Sequence, residues 1–230
     1  MKRFYVEAAP AAHGAGFQVE LDGRAVRTPA RKELTLPTLA LAAASAAEWN
    51  GQGDKLDMAT MPMTALAYAA VDRIGADLPM FLNETARYAE TDLLCYRALG
   101  PAPLREKQAT AWDPVLAWLD ARHGARLILA DGIMPIPQPE AALAAIRTAV
   151  AALDAYRLTA AHSAARIASS AGIALALVQG ELNAGAAAEA ALIDEIFQLD
   201  NWGEDEAARD LVTRRRADMI EIGRFLELLA

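Results

Sequence analysis

The spacing of hydrophobic and polar positions changes along the chain, from a strand-like period near the start to a helical period at the end. Apolar residues of Phe17–Leu21 alternate with polar or small ones, which is typical of a half-buried β-strand. Asp22-Gly23 separates this run from Arg24–Val26, and glycine accepts the positive φ of a tight turn, so the sequence predicts a β-hairpin. After Pro139 the apolar positions recur at helical spacing to the end of the chain.

The elements predicted between these two regions are mixed. A further short strand is expected at Leu34 and Leu36, and the segments 92–97 and 126–130 are expected to pair as strands. The predicted helices cover about 38–50, 64–74, 78–90, 104–123, 140–154, 156–170, 172–180, 186–201 and 205–229. We therefore predict an α+β fold: a small, β-rich N-terminal α/β domain over 1–78, followed by a larger and mostly α-helical domain over 79–230.

The segment near residue 195 has two chemically distinct helix faces, because each residue of a helix turns by roughly 100°. The face expected to pack on the core carries Ile193, Ile196 and Phe197. The opposite face carries Glu195, Gln198 and Trp202. A large aromatic exposed beside a carboxylate is typical of a binding surface. The alternative is that Trp202 folds into a groove between two helices and Glu195 is a solvated surface charge.

Composition and charge narrow the classes of function. Apolar residues make up 54% of the 230 positions and charged residues 23%, which is typical of a globular protein. The net charge is −8 and there is no long basic run, so no nucleic-acid partner is expected. Arg214-Arg215-Arg216 follows an acidic run, and Asp210 can pair with Arg214 at i, i+4. This pattern predicts a charge-paired helix face.

The single cysteine and the lengths of the apolar runs indicate the cellular compartment of the protein. Cys95 excludes a disulfide within the chain and lies among apolar residues, which favours a buried structural thiol in a reducing compartment. The N-terminal residues lack the apolar core of a signal peptide. No run approaches the roughly 18 apolar residues of a membrane helix. We expect a cytoplasmic protein without membrane insertion.

Motifs for catalysis or cofactor binding are absent from the sequence. It contains no Gly-rich phosphate loop, no Gly-x-Ser-x-Gly and no His-Glu-x-x-His, and its three histidines are far apart. Glu48 lies near an aromatic, where helix capping or packing at the edge of the core is the favoured interpretation. Met61 and Met63 are expected in the core. We therefore expect no catalytic residue, no metal, no cofactor and no small-molecule substrate.

Seven short motifs resemble, in their order along the chain, a known family of assembly chaperones. They are Leu21-Asp22-Gly23-Arg24 with Thr28-Pro29, Glu48-Trp49, Met61-Pro62-Met63-Thr64, Thr91-Asp92-Leu93-Leu94-Cys95-Tyr96-Arg97, Gln108 with Trp112-Asp113-Pro114, Gly132-Ile133-Met134-Pro135, and Gln198 with Trp202-Gly203. Each motif is short, but together they span nearly the whole chain. The family attends the alpha subunit in the catalytic sector of the F-type ATP synthase.

The resemblance implies a fold, a function and a site. It implies a small α/β N-terminal domain, a larger helical C-terminal domain and no catalysis. The family binds the unassembled alpha subunit and prevents its aggregation until the beta subunit displaces it. An acidic residue in the segment Asp194–Gln198 is important in the family, and Glu195 is the best match. Partner binding is thus predicted for Asp194, Glu195, Gln198 and Trp202, and the start directly at the β domain resembles a bacterial member.

Two alternatives from other functional classes remain open at this stage. One is a small-molecule enzyme with its site at the domain junction, which would show a deep, closed pocket lined by convergent polar groups. The other is a structural adaptor that stays bound to a membrane-associated complex. A chaperone would instead show a broad, open and partly apolar face.

Overall fold

The structure is a computed structural model that describes residues 2–202 and 205–230, and for Trp202 it describes the backbone alone. The strands of these residues are β1 (Ala8–His13), β2 (Gly16–Leu21), β3 (Arg24–Ala25), β4 (Tyr96–Arg97) and β5 (Ala130–Asp131). The α-helices are α1 (Leu39–Asn50), α2 (Pro62–Asp72), α3 (Leu78–Arg87), α4 (Ala102–His123), α5 (Glu140–Ala151), α6 (Ala155–Ala168), α7 (Ala171–Val178), α8 (Ala184–Ala191), α9 (Ile193–Trp202) and α10 (Glu206–Glu227).

The architecture is α+β, as predicted, with a small β region followed by a mostly helical part. The chain divides into two compact units, Met1–Leu78 with Arg224–Ala230 and Pro79–Gly223. That domains 1–78 and 79–230 fold as separate entities stays a prediction. Among the helices of the described residues, none has both the length and the apolar character needed to cross a lipid bilayer.

The sheet of the first unit is antiparallel, with the strand order β1-β2-β3. The predicted hairpin is confirmed, because Leu21 pairs with Arg24 and the turn residues Asp22 and Gly23 have φ of 48° and 77°. Positive φ at both central residues defines a type I′ turn, whose twist matches that of the strands. Val19 and Leu21 are buried, so the period of two in the sequence marks the core-facing side of β2.

The predicted strand at Leu34 and Leu36 is wrong, because Leu36 makes only an isolated bridge. It exchanges two backbone hydrogen bonds with Phe17. Helix α1 begins directly afterwards. Its N-cap is Thr38, whose Oγ1 accepts a hydrogen bond from the backbone N–H of Leu41 at 3.1 Å. A side-chain oxygen in this position satisfies one of the helix donors that lack an intrahelical partner.

Glu48 caps the next helix, as its position near Trp49 had suggested. Its carboxylate accepts hydrogen bonds from the backbone N–H groups of Met63 at 2.7 Å and Thr64 at 2.8 Å. A negative charge is favourable there because the helix dipole is positive at that end. Burial raises the pKa of Glu48, and these hydrogen bonds oppose the rise. Met61 and Met63 are fully buried, which confirms the core positions predicted for them.

The core of the second unit is built from small residues that allow close helix packing. In α7 every residue from Ala171 to Leu177 is buried. A Cβ at Gly172 would lie 2.7 Å from Leu94 Cδ1 and 2.8 Å from Leu119 Cδ1. The backbone of α7 therefore approaches its neighbours at a distance that only glycine allows. This close packing fixes the segment that contains Leu94.

Two sequence predictions in the second unit need correction. Strands 92–97 and 126–130 were expected to pair, but Leu93–Cys95 forms a 3-10 turn, and only β4 and β5 pair, in parallel. A single helix was expected over 186–201, but the chain breaks at Leu192 into α8 and α9. The predicted break at Gly203 lies outside the described residues. In α4, Pro114 lies inside a helix that begins at Ala102 and does not start a new one.

Candidate functional site

The break at Leu192 creates the candidate site, because a new helix starts immediately after it. Asp194 and Glu195 lie in the first turn of α9. Acidic residues there are stabilised by the positive end of the helix dipole. A continuous helix over 186–201 would have placed both carboxylates in mid-helix, without that stabilisation. The site therefore depends on where the helix begins.

Asp194 is half-buried and is joined to α4 by a side-chain hydrogen bond. Nε2 of Gln108 donates to Asp194 Oδ1 at 2.7 Å. Burial raises the pKa of Asp194, the Gln108 hydrogen bond opposes the rise, and the nearby Glu195 charge adds to it. The other end of the same amide accepts from the backbone N–H of Ala98 at 2.9 Å. Gln108 thus links the chain after β4 to the first turn of α9.

Glu195 forms an ion pair with α10. Nη1 of Arg215 lies 2.6 Å from Glu195 Oε1, and Nη2 of Arg215 donates to the backbone oxygen of Ile167 at the end of α6. The guanidinium therefore connects three helices. A comparable ion pair joins Arg216 to Glu189 at the end of α8. Arg215 and Arg216 thus pair with other helices, whereas the sequence had suggested a pair within α10 between Arg214 and Asp210.

Three of the four predicted site residues line one cavity of about 300 Å³. They are Asp194, Glu195 and Gln198. The side chain of Trp202 lies outside what the structure describes. Ile193 also lines this cavity, although it lies about 200° from Glu195 around α9. Phe197 is buried, as the helical period predicted.

The remaining wall of this cavity comes from residues that sequence reasoning did not assign to the site. They include Leu93, Trp112, Ala168, Ser169, Ala191 and Arg215. Trp112 is held in place because its Nε1 donates to the backbone oxygen of Ala190 at 2.8 Å. Arg97 stacks on Trp112, with its Cζ 5.2 Å from a ring centroid, and pairs with Asp113 at 2.6 Å. The motifs around Arg97 and Trp112 thus hold the Trp112 ring in the wall of the cavity.

An exposed apolar surface lies beside the two-stranded sheet β4–β5. Leu99 is 79% exposed, Ile133 90% and Met134 74%. The loops that carry them are adjacent, since a Cβ at Gly132 would lie 3.6 Å from Leu99 Cδ1. Leu129, immediately before β5, is also exposed. We call Leu99, Leu129, Ile133 and Met134 the apolar patch. Monomeric proteins seldom expose neighbouring large apolar side chains unless they bind a partner.

A second carboxylate of this unit, Asp92, is enclosed. It accepts backbone hydrogen bonds from Leu94 at 3.1 Å and Gly172 at 2.9 Å, and Ser170 contributes a side-chain hydrogen bond. Burial raises the pKa of Asp92 to about 6. Burial and the Asp92 charge raise the pKa of the neighbouring Cys95 thiol to about 12. Cys95 is buried, as predicted, and a thiol with this pKa is a poor nucleophile.

Comparison with known proteins places this arrangement in a family. The chain resembles the crystal structure of Atp12 from Paracoccus denitrificans, with a TM-score of 0.93 and 35% identity over 100% of this chain and 98% of that one. A mutant of the same protein gives the same values. A protein of Agrobacterium tumefaciens proposed to be a chaperone has a TM-score of 0.92 and 37% identity, over 100% of this chain and 86% of that one.

Sequence relatives agree with the structural ones. The mitochondrial protein atp12 of Schizosaccharomyces pombe is 23% identical over 91% of this chain and 76% of its own length. The family profile described as ATP12 chaperone protein matches residues 2–120. That match covers more than half of the chain and includes β1 to β4 and the first three helices. The chain therefore belongs to the ATP12 chaperone family.

Proposed function

We propose that this protein assists assembly of the F-type ATP synthase by binding the unassembled alpha subunit of the catalytic sector. It prevents aggregation of that subunit and releases it when the beta subunit takes its place. Membership of the ATP12 chaperone family supports the assembly role. The observation that carries the binding role is the apolar patch, which leaves large aliphatic side chains in water. Such side chains fit a protein client whose own apolar interface is not yet covered.

The apolar patch has the composition of an adaptable contact surface. Met134 has a flexible, polarisable side chain that adjusts to irregular surfaces. Ile133 and Leu99 are almost fully exposed and provide rigid apolar area beside it. Their burial on binding would supply most of the favourable free energy. A chaperone must also release its client, and a patch of this small size suits a transient complex.

The acidic side of the site forms the polar part of the proposed client surface. Asp194, Glu195, Gln198 and Trp202 are the residues to which we assign this contact. Three of them line the cavity beside Arg215. The patch and α9 are linked through Gln108, which contacts both Ala98 and Asp194. This linkage supports treating the patch and the acidic cavity as parts of one client surface.

The bonding of the carboxylates suits recognition better than proton transfer. Asp194 is occupied by Gln108, and Glu195 by Arg215 at 2.6 Å. A general acid or base needs a free hydrogen-bonding position toward its substrate and a partner that carries the reacting atom. Carboxylates held by an amide and a guanidinium instead present a fixed pattern of charge. Such a pattern contributes specificity and association rate at an interface.

The decisive experiment reverses one charge at the site and one at a matched position. Glu195→Lys and Glu189→Lys each break an ion pair between a helix of the second unit and neighbouring arginines of α10. Glu195 and Glu189 are similarly accessible, with side chains 40% and 48% exposed. Only Glu195 lines the cavity. Both variants are expected to melt close to the wild type, because exposed ion pairs contribute only about 0–1 kcal/mol.

Client binding separates the two variants. We expect Glu195→Lys to lose suppression of alpha-subunit aggregation, because a like-charge clash in a partly buried contact costs several kcal/mol. Glu189→Lys is expected to retain it. Addition of the beta subunit should release the client from the wild type. Equal suppression by the two variants would remove the acidic cavity from the client surface.

A second pair of variants tests the apolar patch itself. Ile133→Asp combined with Met134→Asp places two charges at exposed, consecutive positions of the apolar patch. Leu211→Asp, at an exposed position of α10, is the control. The patch variant should fold normally and lose alpha-subunit binding, while the control should bind as the wild type does. Full binding by the patch variant would show that the client contacts another surface.

A further inference from the structure

The first unit contains a larger cavity that has no part in the site described above. Its volume is about 700 Å³, enough for several bulky side chains. Its wall is largely aromatic and aliphatic and includes Phe4, Tyr5, Leu21, Trp49, Leu56 and Tyr68. Arg24–Pro29, which comprises β3 and the chain after it, forms another side. All lining residues belong to the first unit. The cavity therefore combines an apolar interior with an open sheet edge.

Trp49 provides an unused hydrogen-bond donor in this wall. Its side chain is only 5% exposed, and within the described residues its buried Nε1 has no hydrogen-bond partner. The ring is fixed, because Tyr5 packs edge-on against it at 5.6 Å and the Tyr5 hydroxyl donates to the Trp49 backbone oxygen at 2.6 Å. This N–H is enclosed, so the indole ring is the part of Trp49 that a ligand in the cavity contacts. A large apolar side chain suits a wall of this kind.

The edge strand β3 presents backbone N–H and C=O groups that no other strand among the described residues uses. Val26 donates to the backbone oxygen of Val19 at 2.8 Å, so this pair is hydrogen-bonded across the ladder. Ala25 pairs with Glu20 at the alternate position. In an antiparallel ladder the N–H and C=O of alternate residues point away from the partner strand. Ala25 therefore directs both backbone groups outward at the rim of the cavity, where an added strand can pair with them.

The charges around the cavity favour an acidic partner. Arg24 and Arg27 are exposed and line it. The one lining carboxylate is that of Asp22, which is directed to the backbone N–H groups of Val6 and Glu7. Arg27 donates one hydrogen bond to the backbone oxygen of Arg31 at 3.1 Å and keeps its other N–H groups for a ligand. The cavity thus carries local positive charge, although the chain as a whole has a net charge of −8. This positive charge favours a ligand that carries a carboxylate next to the apolar group that enters the cavity.

We propose that this cavity is a peptide-binding site for an extended protein segment in which a large apolar residue stands next to an acidic one. The segment adds as a strand to the outer edge of β3 and pairs with Ala25. Its apolar side chain enters the cavity and packs on the Trp49 ring, and its carboxylate contacts Arg24 and Arg27. This is strand addition combined with a side-chain pocket, a common mode of peptide recognition. The proposal does not require the segment to come from the alpha subunit.

The test is a selection from a library of short random peptides against the full-length protein. Enriched peptides are expected to place a large apolar residue beside Asp or Glu. Their binding is then followed through the indole N–H resonances of protein labelled with ¹⁵N-tryptophan. The sequence has four tryptophans, so the spectrum is simple. Comparison with Trp49→Phe identifies the Trp49 signal, which should shift when a peptide binds.

Two substitutions separate the parts of the proposed contact. Arg24→Glu with Arg27→Glu removes the cationic pair and should weaken binding of the enriched peptides by about tenfold or more. Arg122→Glu, an exposed arginine at the end of α4, is the control and should leave binding unchanged. Ala25→Pro removes the outward N–H without breaking a bond to β2, and proline is tolerated at such edge positions. It should also weaken binding by about tenfold.

The outcomes that would overturn the proposal are well defined. They are the absence of any enriched peptide, or enriched peptides whose binding shifts no Trp49 signal and tolerates Arg24→Glu with Arg27→Glu. Circular dichroism verifies that each variant is folded. If Ala25→Pro does not fold, the arginine variant decides alone. Suppression of alpha-subunit aggregation by Glu195→Lys is measured separately, so failure of the alpha-subunit proposal is distinguishable from failure of this one.

Discussion

Two carboxylates in the second unit, Asp92 and Asp194, show how the same chemical group serves different purposes. Burial raises the pKa of both. Asp92 is enclosed, and its oxygens accept hydrogen bonds from Leu94, Gly172 and Ser170. Asp194 is only half-buried and borders a cavity, with Gln108 as its side-chain donor. The enclosed carboxylate holds segments of the chain together, whereas the open one retains capacity to contact a partner.

Removal of the enclosed carboxylate should have the largest effect on stability. Asp92→Ala leaves the donors of Leu94, Gly172 and Ser170 without their acceptor in the core. Each buried unsatisfied group costs about 1–3 kcal/mol, so we expect the free energy of unfolding to fall by about 4 kcal/mol. Urea denaturation measures this change. Asp194→Ala is the control and should cost about 1 kcal/mol. Equal losses for both variants would contradict the distinction between the two sites.

The pH dependence of stability gives the next largest effect. Burial raises the pKa of Asp92 to about 6 in the folded protein, from about 3.8 for an aspartate in water. The folded state therefore binds the proton more tightly. The stability that this group contributes is greatest below about pH 4 and falls as the pH rises through about 6, by about 3 kcal/mol in total.

An amide at this position removes the titration. The difference in unfolding free energy between the wild type and Asp92→Asn should therefore decrease by about 3 kcal/mol between about pH 4 and about pH 7. Denaturation curves at several pH values measure it. A difference that stays constant over this window would show that Asp92 does not titrate there.

Neutralising the carboxylates that border the cavity, Asp194 and Glu195, should change stability less than the substitutions of Asp92. Asp194→Asn retains an oxygen that accepts from Gln108, and Glu195→Gln loses an exposed ion pair, so stability should change by less than about 1 kcal/mol. Each substitution should weaken alpha-subunit binding by about tenfold, because the charge pattern at the proposed interface is lost. Binding to the isolated subunit is measured by titration, with Glu189→Gln as control. Unchanged binding by both variants would exclude a charge contribution from this cavity.

The smallest effect is expected at Cys95, which belongs to the enclosed region. Its backbone N–H donates to the Asp92 backbone oxygen at 2.9 Å. Cys95→Ser buries a hydroxyl in place of the thiol and should lower stability by about 1 kcal/mol, with client binding intact. Thiol reagents should not label the folded wild type, since burial keeps the thiol protonated. Rapid labelling, or loss of client binding by a folded variant, would contradict this assignment.

Sequence patterns predicted the parts of the fold that depend on short-range chemistry. The hairpin at Asp22-Gly23 followed from the conformational freedom of glycine, and helix capping was one of the two uses expected of Glu48. The break at Leu192 was missed because α8 and its surroundings are rich in alanine, which is compatible with a continuous helix. The strand expected at Leu34 and Leu36 does not form, because Leu36 makes only one bridge, to a residue distant in sequence.

The candidate site was predicted only in part, since its geometry depends on contacts between distant segments. The helical period placed Glu195 and Gln198 on one face of the helix, and both residues line the same cavity. It could not show that Arg215 pairs with Glu195, because these two residues are 20 positions apart on different helices. Gln108 was noticed as part of a motif, but its bond to Asp194 spans 86 positions. Local spacing carries no information about such pairings.

The C-terminus has a consequence for the order in which the chain can mature. Arg224–Ala230 belongs to the first compact unit, where the Thr38 hydroxyl at the start of α1 donates to the Leu228 backbone oxygen. Phe225 and Leu229 are buried. Segments at the start of a chain usually fold first during synthesis. Here the unit whose synthesis begins first is completed only by residues that follow the whole second unit, so its final packing waits until the second unit has been made.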